Sequence, residues 1–191
     1  MVDAARDLFL ERGYAATTVE AISERSDVPP ATIYRLFAAK LGILRALLDV
    51  SIAGDDQGLT VQGRPEVTAL FAEADPQKLL AGFAGLSVAI NTRSTEAYRI
   101  LVSASGSDPE AAALLTNYIR LRDQGQKLIA AALRRGGTLQ PGLRERDAAD
   151  VIHALMSPEL YRLLVIDRGW PPERYERWLT STLIERLLAP G

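Results

Sequence analysis

Apolar residues recur at three- and four-residue intervals along most of this chain, and nowhere do they alternate with polar ones for long enough to make a strand. That period belongs to amphipathic helices, so the expected fold class is all-α. Val2, Ala5, Leu8 and Phe9 share one face of a helix over 2–12, with Gly13 as its stop. Thr17 and Glu20 have capping-box spacing for a second helix, in which Val19 and Ile22 face inward. Pro30 suits the first position of a short third helix over 30–36. Lys40 opens a fourth, through Ile43, Leu44, Leu47 and Leu48. Further helices are expected over 66–74, 76–92, 95–105 and 109–135, then over 145–168 with a break at Pro158, and over 172–188.

The stretch AGDDQGLTVQGRP, residues 53–65, is glycine-rich and polar, and no helical pattern runs through it. It divides the chain into an N-terminal domain over 1–48 and a larger helical domain over 66–191, with 49–65 as helix end and linker. Cysteine is absent and His153 is the only histidine, which excludes disulfides, thiol nucleophiles and a histidine metal cluster. There is no glycine-rich phosphate loop and no carboxylate pair at a motif spacing, so neither an enzyme nor a bound cofactor or metal is expected. The acidic start is unlike a signal peptide. No apolar run approaches the roughly 20 residues of a membrane span. The expected setting is cytoplasmic, with no membrane contact.

Two helices of seven or eight residues joined by SDVP are too short to be stable alone. Packed on the first and fourth, they have helix-turn-helix form, whose second helix enters the DNA major groove. The charge pattern agrees. The net charge is −2, and residues 1–27 carry six acids against three bases, yet residues 28–48 carry Arg35, Lys40 and Arg45 and no acid. Amides at the start of the third helix would face phosphates or base edges. Thr32 suits a base edge or a thymine methyl, and Arg35 a guanine or a phosphate. Tyr34 and Lys40 suit phosphates. Thr18, Pro30 and Ala31 complete the expected contact set.

The segment AARDLFLERGYAATTVEAISERSDVPPATIYRLFAAK resembles the N-terminal domain of the TetR family of bacterial transcriptional regulators. The resemblance rests on an Ala-Ala and Leu-Phe helix, Gly-Tyr, Thr-Thr with an isoleucine four residues later, Thr-x-Tyr-x-x-Phe, and a lysine three residues on. It covers roughly residues 1–48. A SPELYRLL…GW ending is similar to one branch of the family. The resemblance implies a homodimeric regulator, acting as a repressor on a palindromic double-stranded operator and released by a small hydrophobic or amphipathic effector. The alternative is an all-helical adaptor or small-molecule-binding protein whose DNA binding is weak or lost. Four departures bear on affinity. Pro29 stands where a small polar residue is common, Ala31 where glycine is, Leu36 where histidine is, and Leu41 where glutamate is. The family's basic arm before the first helix is not in this sequence, so weaker binding is expected.

Residues 76–135 hold more apolar positions than one packed layer needs. A mostly apolar lining with a few polar groups is the usual make-up of a small-molecule site. The candidate pocket residues are Phe83, Ser87, Asn91, Tyr98, Leu101, Leu115, Tyr118, Leu121, His153 and Met156. A filled core accounts for the apolar members equally simply. A helix junction at the surface accounts for Asn91, Arg93 and Tyr98 as well as a pocket does. His153, between Ile152 and Leu155, fits a satisfied interior or interface histidine better than a ligand contact. Reading two half-sites requires a rigid dimer. Its candidate interface is Val151, Leu155, Leu160, Leu164, Trp178, Leu179, Leu183 and Leu187, on the last two helical stretches.

Overall fold

The computed structural model describes residues 1–54 and 61–189, so residues 55–60 of the expected linker lie outside the described residues. The fold is all-α. In chain order the helices are α1 (Val2–Arg12), α2 (Val19–Ser26), α3 (Pro30–Phe37) and α4 (Lys40–Ala53). A 3-10 turn (Val61–Gly63) and α5 (Pro65–Phe71) precede two long helices, α6 (Pro76–Ser105) and α7 (Pro109–Arg135). After α8 (Glu145–Leu155), α9 (Pro158–Tyr161) runs into a π-helical turn over Arg162–Asp167, and α10 (Pro172–Leu187) ends the fold. No strand occurs among the described residues; Leu139 and Leu188 form an isolated antiparallel bridge.

Two compact units result, and neither is continuous in sequence: Met1–Gln57 with Arg93–Ile119, and Gly58–Thr92 with Arg120–Gly191. In the first, Leu8, Phe9, Ile22, Ile33, Ile43, Leu44 and Leu48 pack with Ala97, Leu101 and Ala104 of α6 and Ala111 of α7. In the second, Leu79, Leu80 and Phe83 of α6 pack with Ile129 and Leu133 of α7, Ile152 of α8 and Leu179, Leu183 and Leu187 of α10.

Local chemistry accounts for most helix ends, with three corrections to the sequence reading. The cap of α2 is Thr18, whose hydroxyl accepts from the Ala21 amide at 3.1 Å. The expected cap, Thr17, is buried instead, and its hydroxyl reaches the carbonyls of Leu8 at 3.2 Å and Gly13 at 2.9 Å. A buried hydroxyl needs a partner, and these carbonyls supply it, so the cap falls one residue later. Residues 76–92 and 95–105 are not two helices but parts of α6. The run Asn91-Thr92-Arg93-Ser94-Thr95 contains neither glycine nor proline, and the Thr92 hydroxyl returns to the Val88 carbonyl at 2.8 Å, so nothing breaks the helix. The third correction concerns α10. Leu179, Leu183 and Leu187 are 0% exposed within this single chain. A covered side chain cannot meet a partner, so these three belong to the core and not to a dimer interface.

The break at Pro158 is present. Ser157 caps α9 by accepting from the Leu160 amide at 3.1 Å. Carbonyls released by the break find side-chain donors: Leu155 O accepts from the Tyr175 hydroxyl at 3.0 Å, and Met156 O from Ser87 Oγ at 3.3 Å and Asn91 Nδ2 at 3.5 Å. Burial raises the Tyr175 hydroxyl well above the ordinary tyrosine value, with the Tyr161 phenol a lesser cause, so it stays a donor.

Candidate nucleic-acid interface

Helix α3 is amphipathic in an unusual proportion. Of its eight residues only Ile33 is buried, and Phe37 packs alongside it at the edge of the first unit's core. Tyr34 is 47% and Leu36 58% exposed, and Ala31 and Arg35 are exposed too. Thr32 is partly covered. The side chains of Thr32, Tyr34 and Arg35 make no hydrogen bond or ion pair among the described residues. Three adjacent polar or basic groups are therefore held on a fixed helix and left open to an outside partner.

Neighbouring groups set where α3 points. The helix ends at Ala38, whose amide donates to Tyr34 O at 2.9 Å while its backbone sits at φ 61°. Helix α4 begins two residues later, and Gly42 is pressed so close to the Phe37 carbonyl that a Cβ there would meet the oxygen at 2.0 Å. Only glycine permits that approach. On the other side, Asp27 closes α2 in the left-handed region at φ 53°. Arg25 is held by Glu11, with Nη2 to Oε2 at 3.0 Å, which commits that base to joining α2 and α1.

Two of the expected contacts take a different form. The amide donors at the start of α3 are nearly used up: Pro30 has no N–H, and the amides of Thr32 and Ile33 donate to Pro29 O at 2.9 and 3.2 Å. Of the first four positions only the Ala31 amide is left for a phosphate. Lys40 is occupied as well. Its ammonium donates to Tyr14 O at 2.6 Å and Thr17 O at 2.8 Å, and stands 4.3 Å from the centre of the Tyr14 ring. Burial lowers its pKa, with Asp108 opposing. Lys40 thus fastens the start of α4 to the α1–α2 turn. Thr18 is exposed, with its oxygen engaged as the α2 cap.

The ten candidate pocket residues divide between the units. Tyr98 and Tyr118 pair in the first unit at 5.3 Å between ring centres. Leu115 packs at the edge of that core, and Leu101, 0% exposed, lies inside it and borders no open space. In the second unit Ser87 and Asn91 serve the Met156 carbonyl, and Phe83 is buried against Phe71 at 4.9 Å. His153 Nδ1 donates to Gln126 Oε1 at 2.5 Å, and burial followed by the Arg122 charge lowers the ring's pKa. Leu121 is 44% exposed. A shallow groove of about 340 Å³ in this unit is lined by Arg134, Leu139, Leu143 and Arg144, with none of the ten candidates. Among the dimer candidates, Val151, Leu155, Leu160, Leu164 and Trp178 are only partly covered. The larger exposed apolar groups nearby are Leu163, at 47%, and Ile166, at 54%, both in the π-helical turn. Sequence reading did not single out these two. Nor did it find the role of Tyr14 or Arg93, since their partners lie tens of residues away.

Residues 1–47 match the family model described as bacterial regulatory proteins, tetR family. The HTH-type transcriptional regulator YvkB of Bacillus subtilis (strain 168), itself uncharacterised, is 46% identical over 48 residues, 25% of this chain and 25% of that protein. YdeS of the same organism, another uncharacterised HTH-type regulator, is 28% identical over 166 residues, 86% of this chain and 77% of YdeS. The fold is also that of the SmeT–triclosan complex, at TM-score 0.70 and 19% identity, covering 100% of this chain and 90% of that one. Residues 1–47 are thus similar to the helix-turn-helix of the tetR family of bacterial regulatory proteins, and the fold is shared with that solved structure along the whole chain.

Proposed function

We propose that the chain is a cytoplasmic transcriptional repressor that binds a palindromic operator as a homodimer and is released by a small hydrophobic or amphipathic effector. The observation that carries this reading is the set of uncommitted side chains on α3: Thr32, Tyr34 and Arg35, on a helix anchored by Ile33 and flanked by no exposed acid between residues 28 and 48. Thr32 and Arg35 read bases, and Tyr34 with the Ala31 amide holds phosphates. A single such helix reads few base pairs, so two must sit about 34–36 Å apart on one face of the duplex. The apolar groups that the second unit leaves open, Leu163 and Ile166 with the half-covered Leu160, Leu164 and Trp178, supply a self-complementary patch for that pairing. No helix of the described residues is long and apolar enough to cross a membrane.

Selection from a pool of randomised duplexes tests the reading. The expected product is a two-fold symmetric sequence, bound with an affinity that falls as salt rises. An adaptor without DNA binding would enrich nothing. For the effector, apolar compounds that raise the melting temperature should also release the selected duplex, because a ligand shifts an equilibrium only when it prefers one state. Compounds that stabilise the protein but leave DNA affinity unchanged would remove the effector from this reading.

A further inference from the structure

Helix α4 carries the aim of α3, and its far end is capped by another helix. The last four carbonyls of a helix have no partner within it. In α4, Val50 O accepts from the Gly54 amide at 2.8 Å. The next two carbonyls are taken by one side chain of α6: Arg93 Nε donates to Ser51 O and Nη2 to Ile52 O, each at 3.2 Å. A planar guanidinium across two consecutive carbonyls fixes direction as well as distance. It also places a cation on the negative end of the helix dipole.

The site is fitted to this side chain. Gly54 closes α4 in the left-handed region at φ 81°, and a Cβ there would stand 3.0 Å from Cζ and 3.1 Å from Nε and Nη2 of Arg93. The glycine thus serves both the turn and the guanidinium. The start of α4 is held in a related way. Asp108 caps α7 by accepting from the amides of Glu110 at 2.9 Å and Ala111 at 3.2 Å, and its other oxygen accepts from the Tyr14 hydroxyl at 3.3 Å. The Tyr14 carbonyl in turn holds Lys40, the first residue of α4.

We propose that Arg93 is a positioning residue: by capping the last carbonyls of α4 it ties the direction of α4, and so of α3, to α6. As regulation this rests on the DNA-binding reading above; as a tether it does not. The Arg93 bonds are exposed, so they add little stability. Their loss should show in the aim of the helix rather than in the melting temperature. A guanidinium that is merely a surface charge would show in neither.

The absence of cysteine lets two introduced thiols be labelled cleanly. Val50→Cys on α4 and Val102→Cys on α6 are at positions 48% and 44% exposed. Spin labels there, in chains diluted with unlabelled protein, report the distance between the helices. A narrow distribution is expected with Arg93 in place, a broadened or displaced one with Arg93→Gln, and partial recovery with Arg93→Lys, at melting temperatures within a few degrees of one another. Gly54→Asn keeps a residue that tolerates the left-handed region but crowds the guanidinium. It should broaden the distribution when Arg93 is present and add nothing to Arg93→Gln. On a duplex selected by the unmodified chain, Arg93→Gln should weaken binding about fivefold or more. An unchanged distance distribution in Arg93→Gln would overturn the proposal. So would equal loss of folding in the Gln and Lys variants, or strictly additive effects of the Gly54 and Arg93 changes. Failure of the unmodified chain to bind any duplex would count against the DNA reading alone, and the distances would still decide the tether.

Discussion

Helices α3 and α10 look alike as patterns and do opposite things. Both begin on the second residue of a proline pair, and both carry an apolar stripe with polar residues between. In α10 the stripe Tyr175, Leu179, Leu183, Leu187 is 0% exposed, closed inside its own unit. In α3 only Ile33 is buried, and Tyr34, Arg35 and Leu36 are left outside. The periodicity of a helix reveals which face is apolar. It does not reveal whether that face is covered by the same chain or awaits another molecule. The number of buried positions per turn is what separates a structural helix from a presenting one.

The largest effect should come from breaking the covered stripe. Leu183→Ala should cost about 2–5 kcal/mol, seen as an earlier transition in denaturant unfolding. Leu163→Ala, in the open patch of the same unit, should stay within about 0.5 kcal/mol of the unmodified chain but weaken self-association in sedimentation. Equal losses of stability from the two would erase the distinction drawn between covered and open apolar groups.

Lys40 sharpens the comparison within the first unit, because it is a base that faces inward. Lys40→Ala should cost about 1.5–3 kcal/mol, the range for hydrogen bonds to a charged group. Arg35→Ala should leave stability nearly unchanged. Its effect belongs to DNA binding, where a bidentate base contact is worth about 1–3 kcal/mol. A stable Lys40→Ala variant with a reduced salt dependence of binding would return this lysine to the phosphate role first read from the sequence.

The smallest effect concerns His153. Burial and the Arg122 charge hold its folded pKa below the ordinary 6.5. The unfolded chain then binds more protons in that window, so stability rises with pH there. The contribution is complete above about pH 6.5 and is lost as the pH falls through the lowered folded value. His153→Gln should flatten that part of the curve, measured as melting temperature between pH 5 and pH 7.5. An unchanged slope would mean that the ring is solvated.

Where signals are local, the sequence was sufficient. Gly13, Pro30 and Lys40 mark helix ends where the structure has them, and Pro158 marks a real break. The exposed groups of α3 were legible too, because a polar face on a short helix has few other uses. What escaped were decisions made at long range. Thr17 and Thr18 are equally good caps in isolation, and burial of Thr17 against Leu8 and Gly13 chooses between them. Leu179, Leu183 and Leu187 suited an interface as well as a core until α6, α7 and α8 were seen to pack on them. Lys40 read as a phosphate contact because its acceptors are backbone carbonyls 23 and 26 residues back, which no side-chain pattern announces.

The claim at the centre is that α3 is held rigid so that its outer face can read DNA. Anisotropy titration of a selected duplex, at several salt concentrations, tests it with the chain carrying Tyr34→Phe and Arg35→Ala together. Salt-dependent binding by the unmodified chain, weakened about tenfold or more by the pair with no change in melting temperature, is the result the account predicts. Binding that the pair leaves untouched, or no salt-dependent binding to any duplex, would contradict it.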